Sequence, residues 1–182
     1  ALYFRGASSD HHLLALHHAP GAARILHITL RARSLDALTL AAQNTKAAGG
    51  HVLAPTAPLT EPGGGHAVTL ADPDGRVFRL VYDDEKLDEI DAPDMPLRLA
   101  HVVLNSDHVE DTRKFMEAAL DFSMSDRTRI MAFMRCNSDH HSIAFGDTDN
   151  DGLSDRIEIE VHRTSPTLAD TDADGFDDAF EL

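Results

Sequence analysis

Alternating apolar and polar positions divide most of this chain into short strands, with two stretches of helical periodicity between them. The segment Leu26–Leu30 alternates in this way and predicts a strand. Apolar residues at Leu35, Leu38 and Ala42 then recur at helical spacing. They follow Ser34, a residue type that favours a helix N-cap, so a helix is predicted from about residue 35 to residue 48. The same pattern predicts further strands at 51–54, 66–71 and 76–82.

Two glycine-containing segments predict how these later strands are connected. Pro55 to Gly65 reads as a loop, and its Gly63-Gly64-Gly65 run has no helix after it. We therefore interpret the run as a hairpin connection and not as a phosphate-binding loop. Asp72-Pro73-Asp74-Gly75 is a strong turn signal, because proline fixes one φ angle and glycine supplies a positive one. The predicted order is β-α-β-β-β.

This order is repeated after an acidic, proline-containing linker at 83–96. Residues 99–104 match the pattern of residues 25–30, and a helix is predicted from about Val109 to Leu120. We expect Phe115, Ala119 and Leu120 to face the core. Strands are then predicted at 122–125, 130–134 and 138–145. The second half of the chain is therefore another β-α-β-β-β unit.

A shorter repeat is carried by two Ser-Asp-His-His segments, each followed by apolar residues. Ser138-Asp139-His140-His141 precedes Ile143–Phe145, and we predict one strand that carries both histidines. Ser9-Asp10-His11-His12 precedes Leu13–Leu16 in the same manner, and His11 and His12 are interpreted as structural residues. Residues 1–16 then read as two short strands that end an earlier module. The predicted domains are 1–22, 23–95, 96–146 and 147–182.

Composition and charge narrow the range of functions. The chain has 182 residues, of which 42% are hydrophobic, so an ordered core is expected. Twelve acidic residues and two arginines after residue 146 give this tail a charge of −10, out of −15 for the whole chain. This excess of negative charge argues against binding to nucleic acid and favours the binding of cations. Cys136 is the single cysteine, which excludes an intrachain disulfide.

The hydropathy of the sequence and its first residues support two further predictions. No apolar run approaches the roughly 20 residues that a membrane-spanning helix needs. The chain begins at Ala1 inside a predicted strand, without a recognisable leader peptide. We therefore expect a fragment, or a chain that lacks its first element.

Two aspartate-rich segments have the spacing of calcium-binding loops. Oxygen-bearing residues stand at positions 1, 3, 5, 9 and 12, with glycine at position 6 and a backbone carbonyl at position 7. The predicted ligands of the first loop are Asp147, Asp149, Asp151, Leu153, Asp155 and Glu158. Those of the second loop, 23 residues later, are Asp170, Asp172, Asp174, Phe176, Asp178 and Glu181. Alternate side chains point inward around a hard cation, so the sequence predicts Ca²⁺ as a cofactor at both loops.

This acidic segment resembles the thrombospondin type 3-like and dockerin-like calcium repeats, and more generally EF-hand-like loops. The resemblance implies a function outside the cell, where calcium is abundant and such sites are weak. It covers residues 147–182 only.

The β-α-β-β-β units, with histidines at 101 and 140–141, resemble the vicinal oxygen chelate superfamily of glyoxalase-like proteins and extradiol ring-cleavage dioxygenases. The resemblance implies an α+β fold in which βαβββ modules form an open, barrel-like sheet, here with a C-terminal calcium-loop appendage. It also implies Fe(II) held by two histidines and one carboxylate, a catechol-like substrate, and a cytoplasmic protein. By position, His101 is the implied metal ligand, and His141 with His140 beside it forms the implied acid–base pair.

The same resemblance places Arg79 where a ligand carboxylate is expected, so it predicts one of the three ligands and leaves enzymatic activity open. Our leading interpretation is a calcium-binding protein with a dioxygenase-like domain and an incomplete iron site. One alternative is an active Fe(II)-dependent dioxygenase in which a partner chain of a homodimer supplies the missing ligands. Another is a non-catalytic scaffold with a calcium-ordered spacer. The two halves imply different compartments, and the localisation stays open.

Overall fold

The structure, a computed structural model, describes residues 1–146 and residue 173. All the predicted calcium ligands therefore lie outside the described residues. The chain divides into two compact units, the N-terminal unit Ala1–Ala100 and the C-terminal unit His101–Leu182. In the part of the chain that is described, no helix has the length and apolar character needed to cross a membrane.

The N-terminal unit contains a two-stranded sheet and a four-stranded sheet with one helix. Its elements are β1 (Leu2–Phe4), β2 (Leu14–Leu16), β3 (Ile28–Arg31), α1 (Leu35–Ala47), β4 (His51–Pro58), β5 (His66–Ala71) and β6 (Val77–Tyr82). Strands β1 and β2 pair antiparallel. The larger sheet has the order β3-β6-β5-β4, in which β3 and β6 are parallel and the other pairs antiparallel. These four strands and α1 confirm the predicted βαβββ order.

Local sequence signals set the ends of α1. Ser34 caps the helix, because its hydroxyl accepts the backbone N–H of Ala37 at 3.2 Å. The buried face consists of Leu38, Ala41 and Thr45, and Leu35 is 44% exposed. The helix bounds were therefore predicted closely. Of the apolar face predicted from Leu35 and Leu38, only Leu38 is buried.

The loop predicted from Pro55 is wrong at its start, because β4 continues to Pro58. This strand lies at the edge of the sheet and pairs with β5 alone. Its register shifts between Val52 and Ala54 and again between Ala54 and Ala57. An edge strand tolerates proline, since the missing N–H can face away from the neighbouring strand. Pro55 therefore lies in an interrupted part of the pairing without ending the strand, and Pro58 still pairs with His66.

The turn at Asp72–Gly75 forms as predicted. Gly75 has a φ of +84° and donates its N–H to the Asp72 carbonyl at 3.0 Å. The buried Asp72 carboxylate accepts the backbone N–H of Arg76 at 2.8 Å and its guanidinium at 2.5 Å. The turn therefore places a buried ion pair between β5 and β6.

The predicted linker is hydrogen-bonded to the connection between β1 and β2 of the N-terminal unit. Ala7 donates its N–H to Pro96 O at 2.9 Å, and Ile90 donates its own to Ala7 O at 2.9 Å. The Arg5 guanidinium donates to Asp88 O at 2.8 Å. The segment is irregular in conformation, but these contacts tie it to residues 5–9.

The C-terminal unit repeats the same topology. Its described elements are β7 (Val102–Asn105), α2 (Val109–Leu120), β8 (Ser123–Arg127), β9 (Met131–Arg135) and β10 (Ile143–Gly146). The sheet order is β7-β10-β9-β8, with β7 and β10 parallel. Phe145, Ile143, Met134 and Met116 are completely buried between the sheet and α2. The predicted α2 is confirmed, and so are Phe115 and Ala119 as core residues.

Candidate functional site

His101 and His141 lie side by side in the C-terminal unit. His101 directly precedes β7, and His141 lies two residues before β10. Parallel pairing sets Val102 opposite Ile143, so both histidines are at the same end of neighbouring strands. Their ring centroids are 4.4 Å apart, with the ring planes tilted by 48°. The structure therefore brings together two histidines that the sequence separates by forty residues.

The predicted placement of these histidines inside strands is wrong. The strand predicted at 138–145 begins at Ile143, and the one predicted at 99–104 begins at Val102. Ser142 donates its N–H to Met134 O at 2.8 Å, and the regular ladder starts only after it. Because the histidines precede the ladder, their rings are not bound to the alternating orientation of strand side chains.

His140 and Phe133 surround the second histidine of this cluster. The Nδ1 atoms of His140 and His141 are 3.0 Å apart, which is hydrogen-bond distance. The Phe133 ring lies 5.0 Å from the His141 ring and 5.9 Å from the His140 ring, both in edge-on orientation. Phe133 thus packs against both rings of the His-His pair.

Asp126 stands at the outer end of the cluster. Its Oδ2 atom is 3.7 Å from His140 Nε2, and its Oδ1 atom accepts the N–H of Arg127 at 2.8 Å. Sequence reasoning missed both Asp126 and Phe133. These two residues are paired across β8 and β9, next to a register shift at Met124/Asp126. The hairpin pattern was visible in the sequence, but the shift that sets this pairing was not.

The electrostatic environment keeps His141 neutral over a wider pH range than a free histidine. Desolvation by burial lowers the pKa of His141, and the neighbouring His101 and His140 lower it further. Each of these neighbours would repel a second positive charge. A neutral imidazole has one nitrogen lone pair that can accept a proton or a hydrogen bond.

The described residues do not complete a metal site. Within residues 1–146 and residue 173, no three His, Cys, Asp or Glu side chains form a group that could hold a metal ion. His101 has His141 beside it, but the two-histidine, one-carboxylate set is not assembled there. The predicted calcium ligands, from Asp147 to Glu158 and from Asp170 to Glu181, lie outside the described residues.

The Asp-His-His repeat of the N-terminal unit has the same local geometry. The Nδ1 atoms of His11 and His12 are again 3.0 Å apart. The Tyr3 ring lies 5.0 Å from the His12 ring at 69°, as Phe133 lies 5.0 Å from His141 at 70°. The two segments are therefore structural as well as sequence repeats.

An ion pair occupies the polar face of β6 in the N-terminal unit. Arg79 donates to the Glu61 carboxylate at 2.6 Å, and the Arg79 side chain is 17% exposed. The pair influences His27: burial is the main cause that lowers its pKa, Arg79 lowers it further and Glu61 opposes them. The arginine predicted at a ligand position is thus neutralised by a carboxylate from the β4–β5 loop, a partner that sequence reasoning missed.

Comparisons with known proteins agree with this topology. The model of the Glyoxalase/Bleomycin resistance protein/Dioxygenase superfamily matches residues 98–174. A solved structure of the Mn(II)-bound glyoxalase from Novosphingobium aromaticivorans is 34% identical, with a TM-score of 0.74 over 79% of this chain and 49% of that chain. No curated protein matches the chain.

Two dioxygenase structures share the fold at lower identity. Homoprotocatechuate 2,3-dioxygenase from Arthrobacter globiformis is 22% identical, with a TM-score of 0.68 over 79% of this chain and 48% of that one. An extradiol ring-cleaving dioxygenase from B. fuscum is 21% identical, with a TM-score of 0.65 over 79% and 43%. The chain spans about half the length of these proteins. The repeated βαβββ topology agrees with the match of residues 98–174 to the glyoxalase/bleomycin resistance protein/dioxygenase superfamily, and the chain is similar to solved structures of that fold.

Proposed function

We propose that the histidine cluster of the C-terminal unit belongs to an extradiol-type ring-cleavage site for a catechol-like diol. The observation that carries this proposal is the 4.4 Å separation of the His101 and His141 rings at the ends of two parallel strands. The dioxygenase folds among the similar structures support the substrate class. The Mn(II)-bound glyoxalase supports a divalent metal, and Fe(II), the metal that the family resemblance implies, is the other candidate.

His141 is the proposed acid–base residue in this site. Its lowered pKa leaves a neutral imidazole near pH 7, which can accept a proton from a diol hydroxyl. Phe133 packs against the ring and restricts its orientation. His140 contacts the Nδ1 atom, so the Nε2 atom is the one left to face a substrate.

His101 is the proposed metal ligand. The remaining donors would have to come from outside the described residues, for example from a second copy of the chain in a homodimer. Among the described residues, His101 has no carboxylate or second ligand histidine beside it to complete the expected set, so the only chemical step assigned here is proton transfer by His141.

The test is anaerobic loading of the full chain with Fe(II) or Mn(II), followed by catechol and then air. We expect a yellow ring-opened product that is lost in His141→Gln and retained in His51→Gln, a control at an exposed histidine of β4. Light scattering measures the mass in parallel, because the proposed donors from a second copy require a dimer. No product at any metal loading would overturn the proposal and favour the non-catalytic scaffold.

We also propose calcium binding at 147–158 and 170–181, on the strength of the two regularly spaced loops. The five ligand carboxylates of each loop repel one another, at roughly 1–4 kcal/mol per close pair near a protein surface, until a cation neutralises them. Calcium titration followed by circular dichroism and calorimetry tests this proposal. Binding should weaken in Glu158→Gln and Glu181→Gln, which remove the bidentate ligand at position 12. An unchanged spectrum with no heat in millimolar calcium would overturn it.

A further inference from the structure

In each Asp-His-His repeat, an acidic side chain from elsewhere in the same unit lies beside the His-His pair. The carboxylate and the two imidazoles then stand in a row. In the C-terminal unit, Asp126 Oδ2 lies 3.7 Å from His140 Nε2, and His140 Nδ1 lies 3.0 Å from His141 Nδ1. In the N-terminal unit, Glu85 Oε2 lies 3.8 Å from His11 Nε2, and His11 Nδ1 lies 3.0 Å from His12 Nδ1.

The two acidic residues do not correspond in sequence. Asp126 belongs to β8 and precedes its histidine pair, whereas Glu85 follows β6 and comes long after its own pair. A carboxylate oxygen is thus brought within 3.8 Å of the same ring nitrogen, Nε2, from different parts of the topology. A shared geometry that does not follow from the sequence repeat indicates a shared physical role.

The 3.0 Å distance between the two Nδ1 atoms restricts where the hydrogens of each His-His pair can be. Two Nδ1 atoms at 3.0 Å form a hydrogen bond only if one of them carries a hydrogen and the other offers a lone pair. A neutral imidazole carries one hydrogen. In each pair, therefore, one ring is protonated on Nδ1 and the other on Nε2.

The carboxylate decides between these two arrangements. At 3.7 and 3.8 Å the carboxylate oxygens lie beyond hydrogen-bond distance and act through their charge, which favours an N–H on the nearby ring nitrogen over a lone pair. His140 and His11 should therefore carry their hydrogen on Nε2, facing Asp126 and Glu85. Their Nδ1 atoms are then acceptors, and the following histidines must donate from Nδ1.

We propose that Asp126 acting through His140, and Glu85 acting through His11, hold His141 and His12 in the Nδ1–H tautomer with Nε2 as a free acceptor. Asp126 and His140 are positioning residues in this scheme. It rests on the proposed function only for the use of His141 as a base, since Nε2 is then the atom that receives the diol proton. The tautomers themselves can be measured without metal or substrate.

The experiment is nitrogen-15 NMR of the imidazoles in the full chain, at about pH 8, where ordinary histidines are neutral. The rings are assigned by single substitutions, His12→Gln and His141→Gln. We expect Nδ1–H as the majority form of His12 and His141, opposite to the Nε2–H form that free neutral histidine prefers. His11 and His140 should be mainly in the Nε2–H form.

Matched carboxylate variants test the C-terminal and the N-terminal arrangement independently. Asp126→Asn should reduce the Nδ1–H population of His141 and leave His12 unchanged, and Glu85→Gln should do the reverse. His140→Ala should return His141 mainly to the Nε2–H form, as in free neutral histidine. The proposal is overturned if His141 and His12 are mainly Nε2–H in the unmodified chain, or if neither carboxylate variant moves its own histidine. Failure of catechol cleavage alone would refute the proposed function and leave these tautomers standing.

Discussion

Removing the Glu61 carboxylate tests the electrostatics of the N-terminal unit most directly. Glu61→Gln keeps a side-chain oxygen near Arg79 but removes the negative charge that pairs with the guanidinium. Arg79 is 17% exposed and Glu61 is 47% exposed, so the pair is intermediate between a surface and a buried ion pair. Surface pairs contribute about 0–1 kcal/mol, and breaking a buried pair costs about 3–5 kcal/mol. We expect a loss of about 1–2 kcal/mol in the free energy of unfolding.

Tyrosine fluorescence follows this unit alone, because the chain has no tryptophan and its tyrosines are Tyr3 and Tyr82. Urea unfolding of Glu61→Gln is compared with that of Glu89→Gln, an equal charge change at an exposed residue of the same unit. In Glu61→Gln the transition should move to lower urea at an unchanged slope. Glu89→Gln should unfold like the unmodified chain.

The pKa of His27 gives an independent second readout. Glu61 raises this pKa and Arg79 lowers it, so Glu61→Gln should lower the pKa of His27 and Arg79→Met should raise it. Both are measured by NMR titration of the folded chain. The reasoning is refuted if Glu61→Gln is as stable as Glu89→Gln and the His27 titration does not move.

Three more predictions concern packing, the turn and acid sensitivity. Asp72→Ala should lower the free energy of unfolding in urea by about 3 kcal/mol, because it leaves the partly buried Arg76 guanidinium without its 1%-exposed partner. Asp74→Ala, at the exposed side of the turn, should lower it by under about 1 kcal/mol, and equal losses would contradict the assigned burial. Phe145→Ala removes a completely buried ring and should lower the stability of the C-terminal unit by about 3–5 kcal/mol. Hydrogen exchange of the β9 and β10 amides measures the loss, and unchanged protection would show that Phe145 is not part of the core. Burial lowers the folded-state pKa values of His12 and His27, so the unfolded chain binds more protons below about pH 6.5. The stability of the N-terminal unit should therefore fall as the pH drops through that region in tyrosine-monitored melts, and less steeply in His27→Gln; a flat profile down to the carboxylate range would contradict these shifts.

The elements predicted most closely are those that depend on neighbours in sequence. The Ser34 cap, the start of α2 at Val109 and the turn at Asp72–Gly75 each rest on a few adjacent residues. The error at Pro55–Pro58 has a different origin, because whether proline is tolerated depends on the edge position of β4. That position follows from strand order and not from local composition.

The candidate site was predicted in part. His140 and His141 were identified from the repeated Asp-His-His segment, and His101 from its place in residues 99–104 and from the family resemblance; the structure places the three rings in one cluster. Asp126, Phe133 and the pairing of Glu61 with Arg79 were not predicted. These three depend on strand register or on a loop that returns to the sheet, and neither leaves a local signal.

The sequence by itself determined the repeated βαβββ order, the two helices and the two His-His pairs, because side-chain periodicity and turn chemistry act over a few residues. It also determined the oxygen spacing of the two acidic loops. Tertiary structure alone decided that His101 meets His141 and that a carboxylate faces each His-His pair. In the C-terminal unit, those contacts exist only once parallel pairing of β7 with β10 and the shifted register of β8 and β9 bring distant residues together. In the N-terminal unit, Glu85 reaches His11 because the segment after β6 returns to Ser9 and Asp10 through the Asp10–Lys86 bridge.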